Sequence, residues 1–470
     1  MLAGYYAGFL VHLYPLFADL PWKIELCMVK RMPRALLAYN EKKSGQEEIH
    51  VKRRKQVIYI CLVIVVAASI STIMIHMLCE KKVQKQSNLE SNLPTGDYLP
   101  DAECPLIRVV IKTNGFQGIA HPKVEVSVQG EIIQITPDDP RFQSGTICIE
   151  PKEPDDRITI NSITRGYGTP SYRGKLELFS TAEGIVIVNE LPLEEYLYAV
   201  VPSEMPASYE PEALKCQAVC ARSYAHCQML AFGYPEYSAH VDDSVSYQVY
   251  GNSKEQDTTI RAVRETAGQR LMYQNQVVKT YYYSTSCGYS TSIEAWGNTL
   301  TDSNQYLRGI SICNEEGKAY EENLPWFRWK AVVPEQIMSN LIELNTGKEI
   351  GTLQNISITK QGIGGVALQI VATGTKGKVT VETENKIRSA LGGSGYEITK
   401  HDGSIVKSTK LLPSAFFTIA KTGGNYIIEG GGYGHGIGMS QNGANEMAKA
   451  GKTYDEILQF FYPGTEVKKR

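Results

Sequence analysis

The chain has 470 residues, and its 48 Lys and Arg against 50 Asp and Glu give a formal net charge of -2. This balance gives no support to a surface built to bind nucleic acid, because that function needs a basic field. With 43% hydrophobic and 21% charged residues, the composition is that of a globular protein with room for one large domain or two ordinary ones. The 28 Tyr against 11 Phe suit stacking on sugars, although a wet β-rich surface explains them equally well.

Residues 57–78 form an apolar run without Asp, Glu, Lys or Arg. The run is long enough to cross a bilayer as a helix, and it lacks the amphipathic pattern of a buried core helix, which is the alternative. Residues 52–55 are all basic, and their charge favours a cytoplasmic N-terminus. We therefore predict a cytoplasmic segment at 1–56, one transmembrane helix at 57–78, a polar stalk at 79–104 and an extracytoplasmic region at 105–470.

The extracytoplasmic region begins with short strand-like runs between Gly, Pro and Asp, followed by a hairpin at 175–188. Helix signals follow at Leu191 and at Pro211, which suits a first helical position. Strand-like sequence patterns return over 304–430. We predict that this stretch is an inserted subdomain with a helix at 334–345. Near the end, Ser440 is placed to cap a helix, and Thr453 with Glu456 forms a capping box. The pattern predicts an α+β, β-rich domain with a few packed helices.

One carboxylate, Glu204, stands out because Pro202 and Pro206 bracket it just before a helix start. We predict a stiff loop that holds a partly desolvated carboxyl, which is what a catalytic acid needs. The alternative is a solvated surface acid like the neighbouring Glu194 and Glu210. Paired carboxylates are usual in glycoside hydrolysis, but one suffices when the substrate supplies its own nucleophile.

A glycine-rich segment at 430–444 carries Tyr433, His435 and Gln441. A phosphate cradle does not fit, because the βαβ continuation and a Gly-Lys-Ser/Thr motif are both missing. The glycines instead predict a backbone that approaches a ligand closely and presents an aromatic ring and an imidazole. Two alternatives are a ligand-free turn and a Cys287–His435 acyl-transfer pair.

Arg222 lies at the edge of the apolar face of the predicted helix after Pro211. A partly buried arginine needs an anion, and Glu204, a substrate group or a structural partner would each serve. The ten cysteines include no C-x-x-C pair, so we interpret Cys216, Cys220 and Cys227 on that helix as small buried residues rather than zinc ligands.

Three ordered segments resemble the stage II sporulation protein D family, which includes amidase enhancers: PSEMPASYEPEALKCQAVCARSYA, YYYSTSCGYSTSIEAWG and the run 431–467. The resemblance covers roughly residues 100–470. It implies a membrane-anchored peptidoglycan lytic transglycosylase that cuts glycan strands stripped of stem peptides and leaves anhydro-muramic ends. It also implies work during forespore engulfment, beside a membrane-bound peptidoglycan amidase and a multi-pass membrane scaffold. The rival is a non-catalytic activator of an amidase.

By matching motif, the resemblance assigns catalysis to Glu204 and further functional positions to Arg222, His435 and the hydroxyl-rich turn 284–288. We accordingly predict substrate contacts from these residues: Arg222, Gln217, Tyr224, Ser284, Ser286, Gly288, Tyr433, His435 and Gln441. Some family members carry zinc just before a Gln-Val-Tyr-like signature. Here His240, Asp242 and Asp243 precede Gln248 without any thiol, so we predict no cofactor and treat a zinc site as doubtful.

Overall fold

A computed structural model of the chain describes residues 105–153 and 155–469. The predicted cytoplasmic segment, the predicted transmembrane helix at 57–78 and the predicted stalk lie outside these residues. Within the described ranges, no helix has both the length and the apolar character needed to cross a membrane.

The first part of the described chain is rich in short strands and contains three helices. The strands are β1 (Leu106–Ile111), β2 (Ala120–His121), β3 (Val124–Val128), β4 (Glu131–Ile135), β5 (Ile147–Ile149), β6 (Ile158–Ile160), β7 (Ser171–Tyr172), β8 (Lys175–Thr181), β9 (Gly184–Pro192), β10 (Val241–Asp242), β11 (Gln269–Tyr273), β12 (Gln276–Val277) and β13 (Tyr282–Tyr283). The helices are α1 (Leu193–Glu204), α2 (Pro211–Met229) and α3 (Asp257–Glu265).

The second part folds around strands that are mostly antiparallel, and two short helices follow before the last strand. The strands are β14 (Trp329–Pro334), β15 (Leu353–Gln361), β16 (Ala367–Gly374), β17 (Lys378–Glu382), β18 (Glu397–Lys400), β19 (Ile405–Lys407), β20 (Phe417–Thr422), β21 (Asn425–Gly430), β22 (Met439–Ser440) and β23 (Glu466–Lys469). The helices are α4 (Glu335–Thr346), α5 (Glu384–Leu391), α6 (Gln441–Lys449) and α7 (Tyr454–Phe461).

The main sheet has the strand order β10-β1-β9-β8-β5, with β2 also paired to β9. Strand β9 has the sequence GIVIVNELP and is buried along most of its length. A nearly continuous β-branched run of this kind suits a strand that is covered on both faces. The helices pack beside this sheet, and its apolar side chains belong to the same core as α1 and α2.

Helix α2 is the centre of this core. The predicted small-residue face, with Leu214, Ala218 and Ala225, is buried, but Val219 and Cys220 on other faces are buried too. Because α1, α3, α6 and α7 all pack against it, α2 has no solvent face for most of its length. This enclosure explains why its sequence shows little amphipathic contrast.

Strands β14 to β21 with α4 and α5 enclose a second core, which includes Trp329, Leu353, Ile370, Ile387 and Ile428. Its five-stranded sheet has the order β19-β18-β14-β21-β20, and a three-stranded antiparallel sheet is formed by β15, β16 and β17. After β21 the chain returns to the first core, where β22 pairs in parallel with β13 and β23 pairs with β11.

Most local predictions are confirmed. The hairpin is β8–β9, Pro211 is the first residue of α2, and Ser440 accepts a hydrogen bond from the Gly443 N–H as the N-cap of α6. The capping box at Thr453 is present, and α4 occupies the predicted helical stretch. The mixed, β-rich α+β class is confirmed for the described residues.

The predicted loop around Glu204 is wrong, because α1 continues through Pro202 and ends at Glu204. Met205 then adopts an extended conformation (φ -133°, ψ 137°). A residue before proline is disfavoured in the helical region, so Pro206 rather than Pro202 sets the end of the helix. Ser203 donates to the Ala199 carbonyl at 2.6 Å inside the last turn. Glu204 therefore sits on a rigid helix end.

Candidate active site

The Glu204 carboxyl group is held by two groups that come from separate segments. Its Oε1 accepts a hydrogen bond from the backbone N–H of Val249 at 2.6 Å. The hydroxyl of Tyr282 also hydrogen-bonds the carboxyl group. Tyr282 in turn accepts from the Gln248 side-chain amide at 3.1 Å, so residues 248 and 249 support Glu204 from one side.

Burial raises the pKa of Glu204 from 4.5 to about 7, against the opposing effects of its bonds to Val249 and Tyr282. Desolvation disfavours a carboxylate, whereas hydrogen bonds to it favour the charged form. A carboxyl group with a pKa near neutrality can both give up and take back a proton at physiological pH. The chemistry available at the end of α1 is therefore general acid–base catalysis.

Glu204 opens into a cleft of about 400 Å³. The cleft contains a set of aromatic side chains, namely Tyr224, Tyr247, Tyr281, Tyr282 and Trp296. Flat rings with polar edges form the kind of wall on which sugar rings stack. The second core also contributes to the cleft, through Glu384, Asn385 and Arg388 of α5.

His435 lines the same cleft as a neutral imidazole. Its Nδ1 accepts from the Ile437 N–H at 3.1 Å, and its Nε2 lies 3.0 Å from the Tyr282 carbonyl oxygen, to which it donates. Burial first, and the charge of Arg388 second, lower its pKa to about 3. Both ring nitrogens are occupied, so His435 positions Tyr282 rather than shuttling protons.

The glycines around His435 serve a different purpose from the predicted one. At Gly438 (φ +75°) a Cβ atom would come within 2.1 Å of the Tyr281 carbonyl oxygen, and at Gly434 (φ +120°) within 2.7 Å of the Tyr283 Cβ. Only glycine combines these dihedral angles with such close approach. The segment therefore lies against residues 281–283, and the close partner is the protein's own backbone.

Gln441 and Gln217 belong to the support behind Glu204. The Gln441 Nε2 donates to the Glu204 carbonyl oxygen at 3.0 Å and to the Gln217 Oε1 at 3.2 Å. Gln217 is fully buried and Gln441 is 8% exposed. The structure therefore corrects the prediction for Gln217, whose buried side chain contacts Gln441 instead of the cleft. Gln441 supports the end of α1 through its bond to the Glu204 carbonyl oxygen.

The hydroxyl-rich turn does not line the Glu204 cleft. Ser286 is buried and hydrogen-bonds Glu321 through its N–H and its hydroxyl, and the Gly288 N–H donates to the Ser286 hydroxyl. The Ser284 carbonyl oxygen accepts from the N–H and the side-chain amide of Asn442. These contacts tie the turn to α6 and to Glu321, and the predicted substrate contacts of Ser284, Ser286 and Gly288 stay predictions outside the Glu204 cleft.

Tyr433 and Tyr224 have different surroundings. Tyr433 is 39% exposed, packs against Trp326 with ring centroids 4.7 Å apart and the rings tilted by 42°, and is absent from the cleft wall. The structure therefore does not bring Tyr433 and His435 to one cleft, and the substrate contact of Tyr433 stays a prediction. Tyr224 does line the cleft, next to Glu204.

Arg222 is the clearest correction. Its side chain is fully buried, with Nε and Nη2 bound to the two Glu194 oxygens at 2.7 Å each. The remaining N–H groups reach the carbonyls of Ala218, Gln269 and Val263 at 3.5, 3.0 and 3.2 Å. All five donors are occupied by the protein, so the partner is neither Glu204 nor a substrate group.

The residues considered for zinc are engaged in other contacts. The His240 Nδ1 accepts from the Arg108 N–H at 3.0 Å, and Asp243 forms a buried ion pair with Arg165 at 2.6 Å. Asp242 accepts from the hydroxyls of Tyr234 and Ser244. Within residues 105–153 and 155–469, no group of three or more His, Cys, Asp or Glu side chains is arranged to hold a metal ion.

Cys287 and His435 do not form a catalytic pair. Burial raises the pKa of the Cys287 thiol to about 11, and Cys287 lines a separate groove beside Arg328 and Phe416. The nitrogens of His435 are bound to Ile437 and Tyr282 as described. A nucleophilic thiolate needs a lowered pKa and an adjacent base, and Cys287 has neither.

Comparisons with known proteins give the family. A sequence family described as Stage II sporulation protein matches residues 181–273, and a Domain of unknown function (DUF8618) matches residues 299–438. Stage II sporulation protein D of Bacillus subtilis (strain 168) is 31% identical over 294 residues, which cover 60% of this chain and 75% of that protein. The chain belongs to the stage II sporulation protein D family.

Two further relatives show how widely this family similarity extends. An uncharacterized protein of Brachyspira hyodysenteriae is 31% identical over 321 residues, covering 67% of this chain and 75% of that protein. The Amidase enhancer of Bacillus subtilis is 31% identical over 294 residues, covering 57% of this chain and 40% of that protein.

Several cleft residues were not predicted from the sequence. Tyr282 and Trp296 lie inside the second family-like segment, and Val249 follows Gln248 in the signature, so closer attention to these motifs would have found them. Glu384, Asn385 and Arg388 carry no local motif, and only the packing of α5 against the first core brings them to the cleft.

Proposed function

We propose that this family member is a peptidoglycan lytic transglycosylase that cleaves glycan strands from which the stem peptides have been removed. The observation that carries the proposal is the Glu204 carboxyl group in an aromatic cleft, with its pKa raised to about 7. Membership of the stage II sporulation protein D family and the family resemblance of the motif around Glu204 support it.

In the proposed reaction, protonated Glu204 donates its proton to the glycosidic oxygen as the bond from that oxygen to the anomeric carbon breaks. The resulting carboxylate then takes a proton from a hydroxyl of the same sugar, whose oxygen forms a new bond to the anomeric carbon. Glu204 ends protonated, as it began, and no water is consumed. Tyr282 and the Val249 N–H stabilise the transient carboxylate.

A second carboxylate, Glu384, also lines the cleft, and paired carboxylates are typical of hydrolases. Glu384 is fully buried and lies 3.4 Å from the Arg388 Nη1. We assign it no proton transfer. Product analysis separates the two reactions, because hydrolysis leaves a reducing end and transglycosylation leaves an anhydro end.

The direct test is to incubate the purified protein with peptide-free glycan strands and to analyse the released sugars by mass spectrometry. We expect anhydro-muramic ends, which lack the mass of one water relative to hydrolysed ends. Release of reducing ends alone would replace the transglycosylase with a hydrolase. Release of nothing would remove the enzymatic proposal altogether.

Tyr282→Phe tests the support of Glu204. Removing a hydrogen bond to the carboxylate raises the Glu204 pKa further, so the high-pH decline of activity should move to higher pH. Turnover should fall by about tenfold, the effect of losing one hydrogen bond to a charged group. The matched control is Tyr224→Phe, which alters the cleft wall but should leave the pH at which activity declines unchanged. An unshifted profile for Tyr282→Phe would argue against this bond.

A second candidate function is activation of a peptidoglycan amidase without catalysis, favoured by the similarity to the Amidase enhancer of Bacillus subtilis. In that case Glu204 would only stabilise the end of α1. Measuring peptide release and sugar release separates the two functions. An activator raises the rate at which an amidase releases peptides, and it releases no sugar by itself.

We further propose that the protein acts during forespore engulfment from the cell membrane. Its N-terminus would be cytoplasmic, and residues 105–470 would face the cell wall. A membrane-bound peptidoglycan amidase would supply its peptide-free substrate, and a multi-pass membrane scaffold would hold the two together. The predicted span at 57–78 and the family membership support this proposal.

A further inference from the structure

Helix α5 joins the second core to the Glu204 cleft. Ile387, Ala390 and Leu391 are buried in the second core. Glu384 and Arg388 lie one turn apart on another face and line the cleft together with Asn385. A segment outside the match to the Stage II sporulation protein family thus supplies charged groups to the site of Glu204.

The backbone at the start of α5 is strained. Thr383, the residue before the helix, has φ +72° and ψ 145°, a conformation that is unfavourable for a β-branched residue. Its N–H donates to the Leu368 carbonyl at 3.1 Å, and its carbonyl accepts from the Ile387 N–H at 3.0 Å. Strain of this kind persists where the surrounding structure holds it, and here it sets the direction in which α5 enters the cleft wall.

Arg388 is the one Lys or Arg among the described residues that line this cleft. Its Nε donates to the Leu412 carbonyl at 2.8 Å, and its own carbonyl accepts from the Leu412 N–H at 3.0 Å, so backbone and guanidinium are both fixed. The Nη1 contact with Glu384 is long, at 3.4 Å. Among the described residues, no protein acceptor is found for the Nη2 group.

Glu384 adds an unpartnered polar atom to the same wall. Its Oε2 is buried and has no hydrogen-bond partner among the described residues. Burial raises the pKa of Glu384, although Arg388 and Trp296 oppose this effect. The long contact at Oε1 and the unpartnered Oε2 leave part of the Glu384 carboxyl group and part of the Arg388 guanidinium open to a ligand. A buried guanidinium with free donors beside such a carboxyl group is suited to an incoming anion.

We propose that Arg388, assisted by Glu384, binds a carboxylate carried by a sugar of the glycan strand. The proposal rests on the function proposed above and adds its selectivity: the cleft would prefer strands whose sugar carboxyl groups are free. An amide on the same carboxyl group removes the charge, and a peptide adds bulk at a buried position.

The test is a binding measurement in the Glu204→Gln background, so that the probe is not consumed. The probes are fluorescent peptide-free glycan oligosaccharides with free carboxyl groups, and the same oligosaccharides amidated with methylamine. We expect the free form to bind at least about tenfold more tightly, consistent with a charge-assisted hydrogen bond. Equal binding of the two probes would overturn the proposal without any further variant.

Arg388→Gln should abolish this preference by weakening only the binding of the free form. Arg388→Lys keeps the charge but loses the planar guanidinium, so it should retain part of the preference for the free probe. It replaces the Gln variant in this test if that variant fails to fold. The matched control is Arg308→Gln, an exposed arginine outside the cleft wall, which should leave both affinities unchanged. If both Arg388 variants still bind the free probe more tightly than the amidated one to the wild-type extent, Arg388 is not the group that binds the carboxylate.

Turnover by the protein with intact Glu204 separates this proposal from the function on which it rests. If the free probe is preferred through Arg388 but no sugar is released, the carboxylate site stands and the transglycosylase proposal fails. If anhydro ends are released equally from free and amidated strands, the enzymatic proposal stands and the carboxylate site fails.

Discussion

Glu204→Gln is expected to lower turnover on peptide-free glycan by at least about 10²-fold, the usual contribution of a positioned acid–base group. Glutamine keeps the size of the side chain and can still accept the Val249 hydrogen bond, but it cannot carry a proton. Wild-type activity should decline as the pH rises through about 7, because the acid must be protonated to act and burial raises its pKa to that value. The rate of anhydro-end release across the pH range measures both effects.

The stability of Glu204→Gln tests the raised pKa of Glu204 independently of activity. The pKa of Glu204 is 4.5 in its unperturbed state and about 7 in the folded protein. The folded state therefore disfavours the carboxylate, and this cost appears as the pH rises above 4.5 and is complete above about 7. Glu204→Gln should melt at the same temperature as the wild type at pH 4 and higher at pH 8.

Glu210→Gln is the matched control for activity. Glu210 is exposed and precedes α2, and its side chain makes no capping hydrogen bond. The Glu210→Gln variant should release anhydro ends at the wild-type rate. If Glu204→Gln releases anhydro ends as fast as the wild type, the acid–base role of Glu204 is wrong, and activation of an amidase becomes the better explanation.

Local structure was predictable where the signal lies within a few residues. The capping box at Thr453 and the proline at the start of α2 act through their own backbone neighbours, so the sequence alone indicates them. Glu204 was found for the same reason, through the prolines around it. The error lay in placing both prolines in a loop, since α1 contains Pro202 and only Pro206 lies beyond its end.

The far side of the cleft was not predictable in this way. Arg388 is brought to Glu204 by the packing of a helix from the second core, and no local pattern reports such a distant contact. Tyr433 and His435 were both expected to face a ligand, because the glycines around them would let the backbone approach it closely. Gly434, with φ +120°, breaks the regular alternation between them, so Tyr433 packs against Trp326 and His435 packs against Trp296.

The correction of Arg222 predicts an effect on stability that is separate from activity. Arg222→Ala should lower the free energy of unfolding by about 3–5 kcal/mol, the usual cost of breaking a buried ion pair by removing one partner. The change leaves the Glu194 carboxylate, whose side chain is 21% exposed, without its cation, and removes the guanidinium donors from the carbonyls of Gln269 and Val263. Urea unfolding followed by circular dichroism measures the loss.

Arg261→Ala is the matched control, because it removes the same charge from an exposed helix pair. The Arg261 side chain is 61% exposed and lies 3.8 Å from Glu265, so its loss should change stability by less than about 0.5 kcal/mol. At a temperature where both variants are folded, turnover per folded molecule should match the wild type, since Arg222 is fully buried and has every donor occupied. The opposite outcome is an Arg222→Ala protein that has wild-type stability but no longer cleaves or binds glycan. That result would support the substrate contact first predicted for Arg222.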